Sequence, residues 1–382
     1  MGDPSKIRVL HVVGDLSTGG IQQFVMNMLQ FSNRAMFEMD VCEMSDVHGG
    51  LTEQATRLGS EVFLWPLRHA IISSSLQIVS RLRSRQYHVV QAYRDFCNGI
   101  ILRMARHVGI PVRIAFYGSI NLRQCESPAR RFVRRLSQRL VLSDATHILG
   151  VSNVVLHDHF QTRATLDSRM QCMYSSIDLN LFQPTYDPRA IREELGIPPD
   201  ALVVGNVARF AKEKNHQAFI QIAHKIADIL PNVRFLLVGD GPLKNRVFHE
   251  IDARGLSAKF ILPGRYESIP RILASMDVFL FPSLWEGFPF AIIEAQAAGL
   301  PCVVSELPVF REEALAPELR DNCFPLENLS QGVERVLDLL KNSEKRRKQG
   351  EAARRFAALF DVRNSVKQLE QLYLSSLVPN PQ

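Results

Sequence analysis

The chain has 382 residues, enough for two ordinary cores and too many for one. Its hydrophobic share of 46% and charged share of 22% are those of a globular protein, and its Gly and Pro residues are scattered, which excludes fibrous and disordered classes. Lys and Arg number 45 against 39 Asp and Glu, a net charge of +6 that suits an anionic ligand or an anionic membrane surface; the basic runs lack interleaved aromatics, so no nucleic-acid partner is expected.

In chain order, the first expected strand is 8–13, within an opening run too short for a signal peptide and without a cleavage site. No stretch approaches the roughly 20 apolar residues that cross a bilayer. The expectation is a cytoplasmic protein with at most peripheral contact at the inner face of the plasma membrane. Cysteines at 42, 97, 125, 172, 302 and 323 form no CxxC pair, which disfavours zinc and reads as buried, reduced thiols. Gly19 and Gly20 follow the first strand and let the backbone approach a phosphate or sugar closely, although a glycine pair in such a turn is common. Further strands are expected at 37–42, 61–65, 88–92, 113–116 and 147–151, with helices at 21–30, 51–58, 75–84 and 129–142.

The 129–142 helix carries Arg130, Arg131, Arg134, Arg135 and Arg139 beside an apolar stripe of Phe132, Leu136 and Leu140, with Arg123 ahead of it. Two readings stand: the stripe packs the helix onto its domain and leaves the arginines solvated, or the helix meets anionic lipid head groups or a lipid-pyrophosphate acceptor. His157-Asp158-His159 is too narrow for a metal site and is expected at the surface.

Residues 173–184 mix turn formers with apolar anchors, as an interdomain linker does, which sets a first domain over 1–177. The alternation then restarts over 178–355. Strands are expected at 202–207, 234–238, 260–262, 278–281 and 302–305, and helices at 217–229, 243–254, 269–274, 291–298 and 331–341. The tail over 343–376 reads as one or two charged helices, with 356–382 set apart as a terminal helical segment. Strand–helix alternation in both halves means α/β architecture, two doubly wound parallel sheets whose ligands lie at the carboxyl ends of the strands.

The most informative segment runs from Phe281 to Ser305. A strand ends at Pro282, a Gly287-Phe288-Pro289 turn follows, and a helix starts near Phe290. A helix start supplies free N–H groups and a positive dipole end, fit for a diphosphate. Glu294 lies one turn inside, within reach of a ribose diol, and Glu286 lies on the loop, facing a transferred sugar. The plain alternative is that Glu294 is solvated. Upstream, Arg209 and Lys214 follow a strand end, where they neutralise phosphates or form a solvated basic loop. Gly239-Asp240-Gly241 lacks the dinucleotide fingerprint, and there is no Walker A sequence and no Asp-x-Asp pair, so a catalytic metal is not expected.

The spacing of Glu286 and Glu294, with Gly287, Phe288 and Ala298-Gly299-Leu300-Pro301, resembles the E-x7-E motif of retaining glycosyltransferase family 4. The resemblance extends in order to Gly19-Gly20, Val151-Ser152, Tyr174–Asp178, Arg209 with Lys214, and Val238–Pro242, and it is closest to the EpsF type of bacterial exopolysaccharide and capsule transferases. It implies a GT-B fold: two Rossmann-like domains facing a cleft, donor mainly in the second, acceptor in the first, and the terminal helix returning to the first. It implies that Glu294 binds ribose and Glu286 the donor sugar. Arg209, Lys214 and the backbone at Phe288 and Phe290 would hold the diphosphate of a nucleotide-sugar, UDP-linked in most of the group. The base would be read by backbone around Gly264, Arg265 and Tyr266. The acceptor would be a glycan or a polyprenyl-pyrophosphate-linked lipid, and the reaction would retain configuration without a metal.

The chain departs from the pattern twice. The loop histidine of many relatives is replaced by Phe116-Tyr117-Gly118-Ser119, where Tyr117 can stand in as a donor of hydrogen bonds, and the linker has Ser175-Ser176 in place of Asn-Gly. The absent histidine leaves open a second function, a catalytically weak GT-B protein that binds a sugar nucleotide as partner of another transferase.

Overall fold

The computed structural model describes residues 6–17, 19–66, 71–120, 127–183 and 186–378; Arg123 lies outside them. The chain divides into two compact units, one of residues 1–175 with 362–382 and one of residues 176–361.

The first unit runs β1 (Ile7–Val13), α1 (Gly20–Phe31), β2 (Phe37–Glu43), α2 (Thr52–Arg57), β3 (Val62–Leu64), α3 (Ile71–Arg85), β4 (Val89–Ala92) and α4 (Asn98–His107). It continues with β5 (Val112–Tyr117), α5 (Pro128–Asp144), β6 (His147–Gly150), α6 (Asn153–Phe160), α7 (Arg163–Leu166) and β7 (Met170–Cys172). The seven strands form a parallel sheet of order β3-β2-β1-β4-β5-β6-β7. Helices cover both faces of such a sheet, so its central strands are apolar without alternation; Val9, Leu10, Val89, Ile114, Phe116 and Ile148 are fully buried.

The second unit runs α8 (Pro188–Glu194), β8 (Leu202–Val207), α9 (His216–Ile229), β9 (Val233–Val238), α10 (Lys244–Ala253), β10 (Phe260–Gly264), α11 (Ile269–Leu273) and β11 (Val278–Phe281). Then follow α12 (Phe290–Ala297), β12 (Cys302–Ser305), β13 (Cys323–Phe324), α13 (Leu329–Lys341) and α14 (Ser343–Ala357). Its parallel sheet has the order β10-β9-β8-β11-β12-β13. Phe219, Phe235, Ile222, Leu237, Leu280 and Val336 build the core on the α9 and α13 side. The last helix, α15 (Val362–Leu377), belongs to the first unit: Tyr373 is buried there against Phe37, and its hydroxyl donates to Gln91 Oε1 at 2.6 Å.

Several sequence expectations need correcting. Helix α4 escapes the periodicity reading because Gly99 sits in its first turn, where glycine weakens a helix. The fold uses that glycine for contact: a Cβ there would lie 2.3 Å from the Ser137 carbonyl oxygen of α5, and its N–H donates to Ser137 Oγ at 2.9 Å. This contact also turns α5. Its buried face is Arg134, Ser137, Val141 and Asp144, with Arg103 and Arg106 of α4 paired to Asp144. Phe132 and Leu136 of the stripe therefore face solvent, and only Leu140, half-buried beside Gly99, packs onto the domain. Tyr117 is not on a loop; it ends β5, fully buried against the rings of His159 and Phe160. His159, expected at the surface, is buried, its Nε2 within 3.0 Å of the Ser119 carbonyl. Strands β7 and β13 are too short for a period to show.

Candidate functional site

In an open parallel sheet, ligands bind where the strand order reverses. In the second unit that point lies between β8 and β11. Three segments meet around it: 208–215 after β8, 239–243 after β9 and 282–289 after β11. The first two are joined by backbone bonds, Ala208 N–H to the Val238 oxygen, Phe210 N–H to Asp240 and Leu243 N–H to Phe210, at 2.9–3.0 Å. Gly239 has φ +138°, and a Cβ on it would lie 2.0 Å from the Ala208 oxygen. The Gly239-Asp240-Gly241 run is therefore the device that lets these loops touch, independent of any dinucleotide fingerprint.

Lys214 ends a single 3-10 turn, and Asn215, in the left-handed region at φ 49°, caps α9 by accepting from the Ala218 N–H. This sharp stop directs Lys214 across the switch point. Its Nζ is 2.6 Å from Glu286 Oε1, and 5.1 Å from the centre of the Phe281 ring. Ser283 Oγ donates to the same Oε1 at 2.8 Å, and Ser305 Oγ donates to the Ser283 carbonyl at 2.6 Å. The Leu284 N–H donates to the Glu213 oxygen, tying the two loops again. Lys214 and Glu286 are mostly shielded from water, where a pair with added hydrogen bonds is firmly held. Glu286 Oε2 has no partner among the described residues.

Helix α12 starts beside this pair. Pro289 precedes it, Phe288 is anchored on the Phe360 ring at 5.4 Å, and no side chain caps the helix. On its buried side Gln296 fixes the rotation, donating to the Ala314 carbonyl at 2.7 Å and accepting from the Ala316 N–H at 2.8 Å. Glu294, one turn in, is partly buried, and its carboxyl group makes no hydrogen bond or ion pair with any described residue. Burial pushes its carboxyl up to about 7. His216, buried against Phe210, is held down to about 4 by burial and then by Lys214, so its imidazole is neutral.

The structure thus brings together Lys214, Glu286, the Gly287-Phe288 turn and the helix start at Phe290. Arg209 follows β8 as expected but is exposed and paired with Glu213 at 3.3 Å, away from Glu286. Gly264 ends β10 at φ +79°, its oxygen accepting from the Gly239 N–H; Arg265 is exposed, 3.9 Å from Asp240. Gly19 and Gly20 open α1 in the first unit, beside that sheet's own reversal point between β1 and β4. Sequence reasoning missed Ser283, Ser305, Asn215 and His216. Only Asn215, a turn former directly before a helical pattern, left a readable signal. Chemically, a held lysine–carboxylate pair, a second carboxylate lacking donors and a helix start suit an anionic ligand that also carries hydroxyl groups.

Two doubly wound parallel-sheet units in one chain, with the terminal helix returning to the first, define the GT-B architecture. The profile described as Glycosyl transferases group 1 matches residues 187–356. EpsF of Bacillus subtilis (strain 168) is 30% identical over 310 residues, 79% of this chain and 80% of its own. The chain belongs to the group 1 glycosyltransferases. The UDP-Gal:alpha-D-GlcNAc-diphosphoundecaprenol alpha-1,3-galactosyltransferase of Escherichia coli is 26% identical over 314 residues, 79% of this chain and 80% of its own. Among solved structures, Anabaena HepE in complex with UDP-glucose superimposes with a TM-score of 0.81 at 19% identity, over 97% of this chain and 100% of HepE.

Proposed function

We propose that the protein is a retaining, metal-independent glycosyltransferase. It moves a hexose or N-acetylhexosamine from a UDP-sugar to a glycan or polyprenyl-diphosphate-linked acceptor, in synthesis of an exopolysaccharide, capsule or other cell-surface glycan. The observation that carries this reading is the Lys214–Glu286 contact at the switch point of the second unit, beside the uncapped start of α12. The names of relatives support the donor and acceptor classes: one is a UDP-galactose transferase acting on a diphosphoundecaprenol-linked sugar, and HepE is solved with UDP-glucose.

In this reading Glu294 accepts from the ribose diol, which supplies the donors its carboxylate lacks. Lys214, the backbone at Phe288 and Phe290, and Arg209 once freed from Glu213 offset the diphosphate charge that a metal offsets elsewhere. Backbone around Gly264 and Arg265 receives the base. Glu286, its Oε1 fixed by Lys214 and Ser283, presents Oε2 to hydroxyls of the donor sugar. The bond from the anomeric carbon to the phosphate oxygen breaks, the acceptor oxygen bonds to the same face of that carbon, and the departing phosphate oxygen takes the acceptor proton. The Gly19–Gly20 turn lets backbone come close to a phosphate or sugar of the donor. Tyr117, buried in its core, acts by shaping β5.

The test is a thermal-shift screen of UDP- against GDP-sugars, followed by turnover on a lipid-diphosphate sugar with and without EDTA and by NMR of the product anomer. UDP-sugars should raise Tm, EDTA should leave turnover unchanged, and the product should keep the donor's anomeric configuration. Glu286→Gln should lower kcat roughly hundredfold while UDP affinity stays close to wild type. An inverted product or full EDTA sensitivity defeats the mechanism, and UDP-sugar binding without any turnover favours the non-catalytic partner.

A further inference from the structure

The α5 helix presents a surface that neither the fold nor the proposed chemistry uses. Its start is fixed by Ser127, whose side chain accepts from the Arg130 N–H, and by Pro128 in the first turn. Its rotation is fixed by the contact with α4 at Gly99, which buries Ser137 and Val141. One turn of an α-helix is 3.6 residues, so the opposite face is centred on Phe132, Leu136 and Arg139. Arg135 and Arg131 flank it on one side and Val133 on the other. Phe132 is 69% exposed, Leu136 47% and Val133 46%. Three large apolar side chains within five residues, standing in water among arginines, are unlike the scattered exposed hydrophobics of an ordinary surface. The acid of this helix, Asp144, is buried and paired with Arg103 and Arg106, so the outward face carries cations alone.

A partner must therefore accept apolar wedges and supply negative charge on one surface. An anionic bilayer does both: acyl chains receive Phe132 and Leu136, and phosphate groups meet Arg135 and Arg139, side chains long enough to keep their charge at the head groups while their stems follow an apolar surface. No helix among the described residues is long and apolar enough to cross a membrane, so attachment of this kind lies in the plane of the surface. We infer that α5 is a membrane-docking helix that seats the protein on a bilayer containing anionic phospholipid. The inference stands on the packing of α5 and does not depend on which sugar or nucleotide the second unit takes.

The experiment is co-sedimentation of the full chain with phosphatidylcholine vesicles, with and without phosphatidylglycerol, at low and high salt. Wild type should pellet with the anionic vesicles, weakly with neutral ones, and high salt should release it. Arg135→Glu with Arg139→Glu should weaken binding by at least about fivefold for each charge removed, the effect expected of one basic residue at an anionic surface. Phe132→Ser with Leu136→Ser should abolish binding even at low salt, which separates insertion from simple charge attraction. Circular dichroism and thermal melts of the free variants serve as the folding control and should match wild type. Equal pelleting of wild type and the Phe132/Leu136 variant overturns the inference. So does absence of binding to anionic vesicles, or self-association of wild type that the same two substitutions abolish, which would make the occupant a second copy of the chain.

Discussion

Glu294 is a carboxyl held where it is uncomfortable. Its ordinary value of 4.5 is raised to about 7 because burial disfavours the charged form and no described donor compensates. The folded state thus holds this proton more tightly than the unfolded chain does. Stability from this group is complete below pH 4.5 and is lost as pH rises toward 7. Above that the ionised carboxylate costs the free protein about 3 kcal/mol at most. Glu294→Gln should accordingly raise Tm at pH 8 relative to wild type and change it little at pH 4, a comparison that thermal melts across pH decide. A ligand diol donating to the carboxylate requires the ionised form. Wild-type UDP affinity should then fall about tenfold per pH unit below 7 with proton release on binding, measurable by calorimetry in two buffers, while Glu294→Gln binds weakly at every pH. That acidic residues flank a turn before a helix was readable at once. The missing donors were not, because lack of a partner is a property of the whole neighbourhood.

At the scale of elements, the site is a consequence of loops that touch. The run after β9 is glycine at 239 because the run after β8 lies against it, backbone to backbone. Gly239→Ala places a methyl group inside contact distance of the Ala208 oxygen at a strained φ. It should destabilise the protein by about 1–3 kcal/mol and weaken UDP binding, since the displaced segment carries Arg209 and Lys214. Gly255→Ala is the matched comparison: φ is +67°, with open space around the new Cβ. It should lower stability by about 1 kcal/mol and leave UDP affinity unchanged, as chemical denaturation and titration would show. The helix and strand starting points were legible because capping residues and apolar runs are local. The orientation of α5 was not. Its apolar stripe leaves an inward and an outward Phe132 both open, and close approach at Gly99, which sets the small Ser137 face against α4, puts Phe132 and Leu136 outside.

At the scale of the molecule, the chain enters the second unit after Ser175 and leaves it after Asp361, and Ile177 pairs there with Asp361 as the two passing segments run side by side. What returns is α15, and it is held in the first unit by a buried aromatic and by a polar contact from Asn33 N–H to Glu370 at 2.6 Å. Tyr373→Ala removes the ring against Phe37 and orphans Gln91; it should cost about 3–5 kcal/mol in denaturant unfolding, whereas Tyr373→Phe, losing the hydroxyl alone, should cost about 1–2 kcal/mol. Neither should change UDP affinity by more than about twofold, because substitutions without shared partners act independently.

The amino-acid order alone determined the two alternating α/β halves, the strand–turn–helix around Glu286 and Glu294, and the charged character of α5, since each depends on residues within a turn or two of one another. Only the folded chain decided that Lys214 reaches Glu286 across 72 positions, that Tyr117 belongs to a core, that α5 turns its phenylalanine to solvent, and that residues 362–377 complete the unit formed by residues 1–175. Those outcomes depend on which distant surfaces exclude water together, and burial of that kind has no period along the sequence from which to read it.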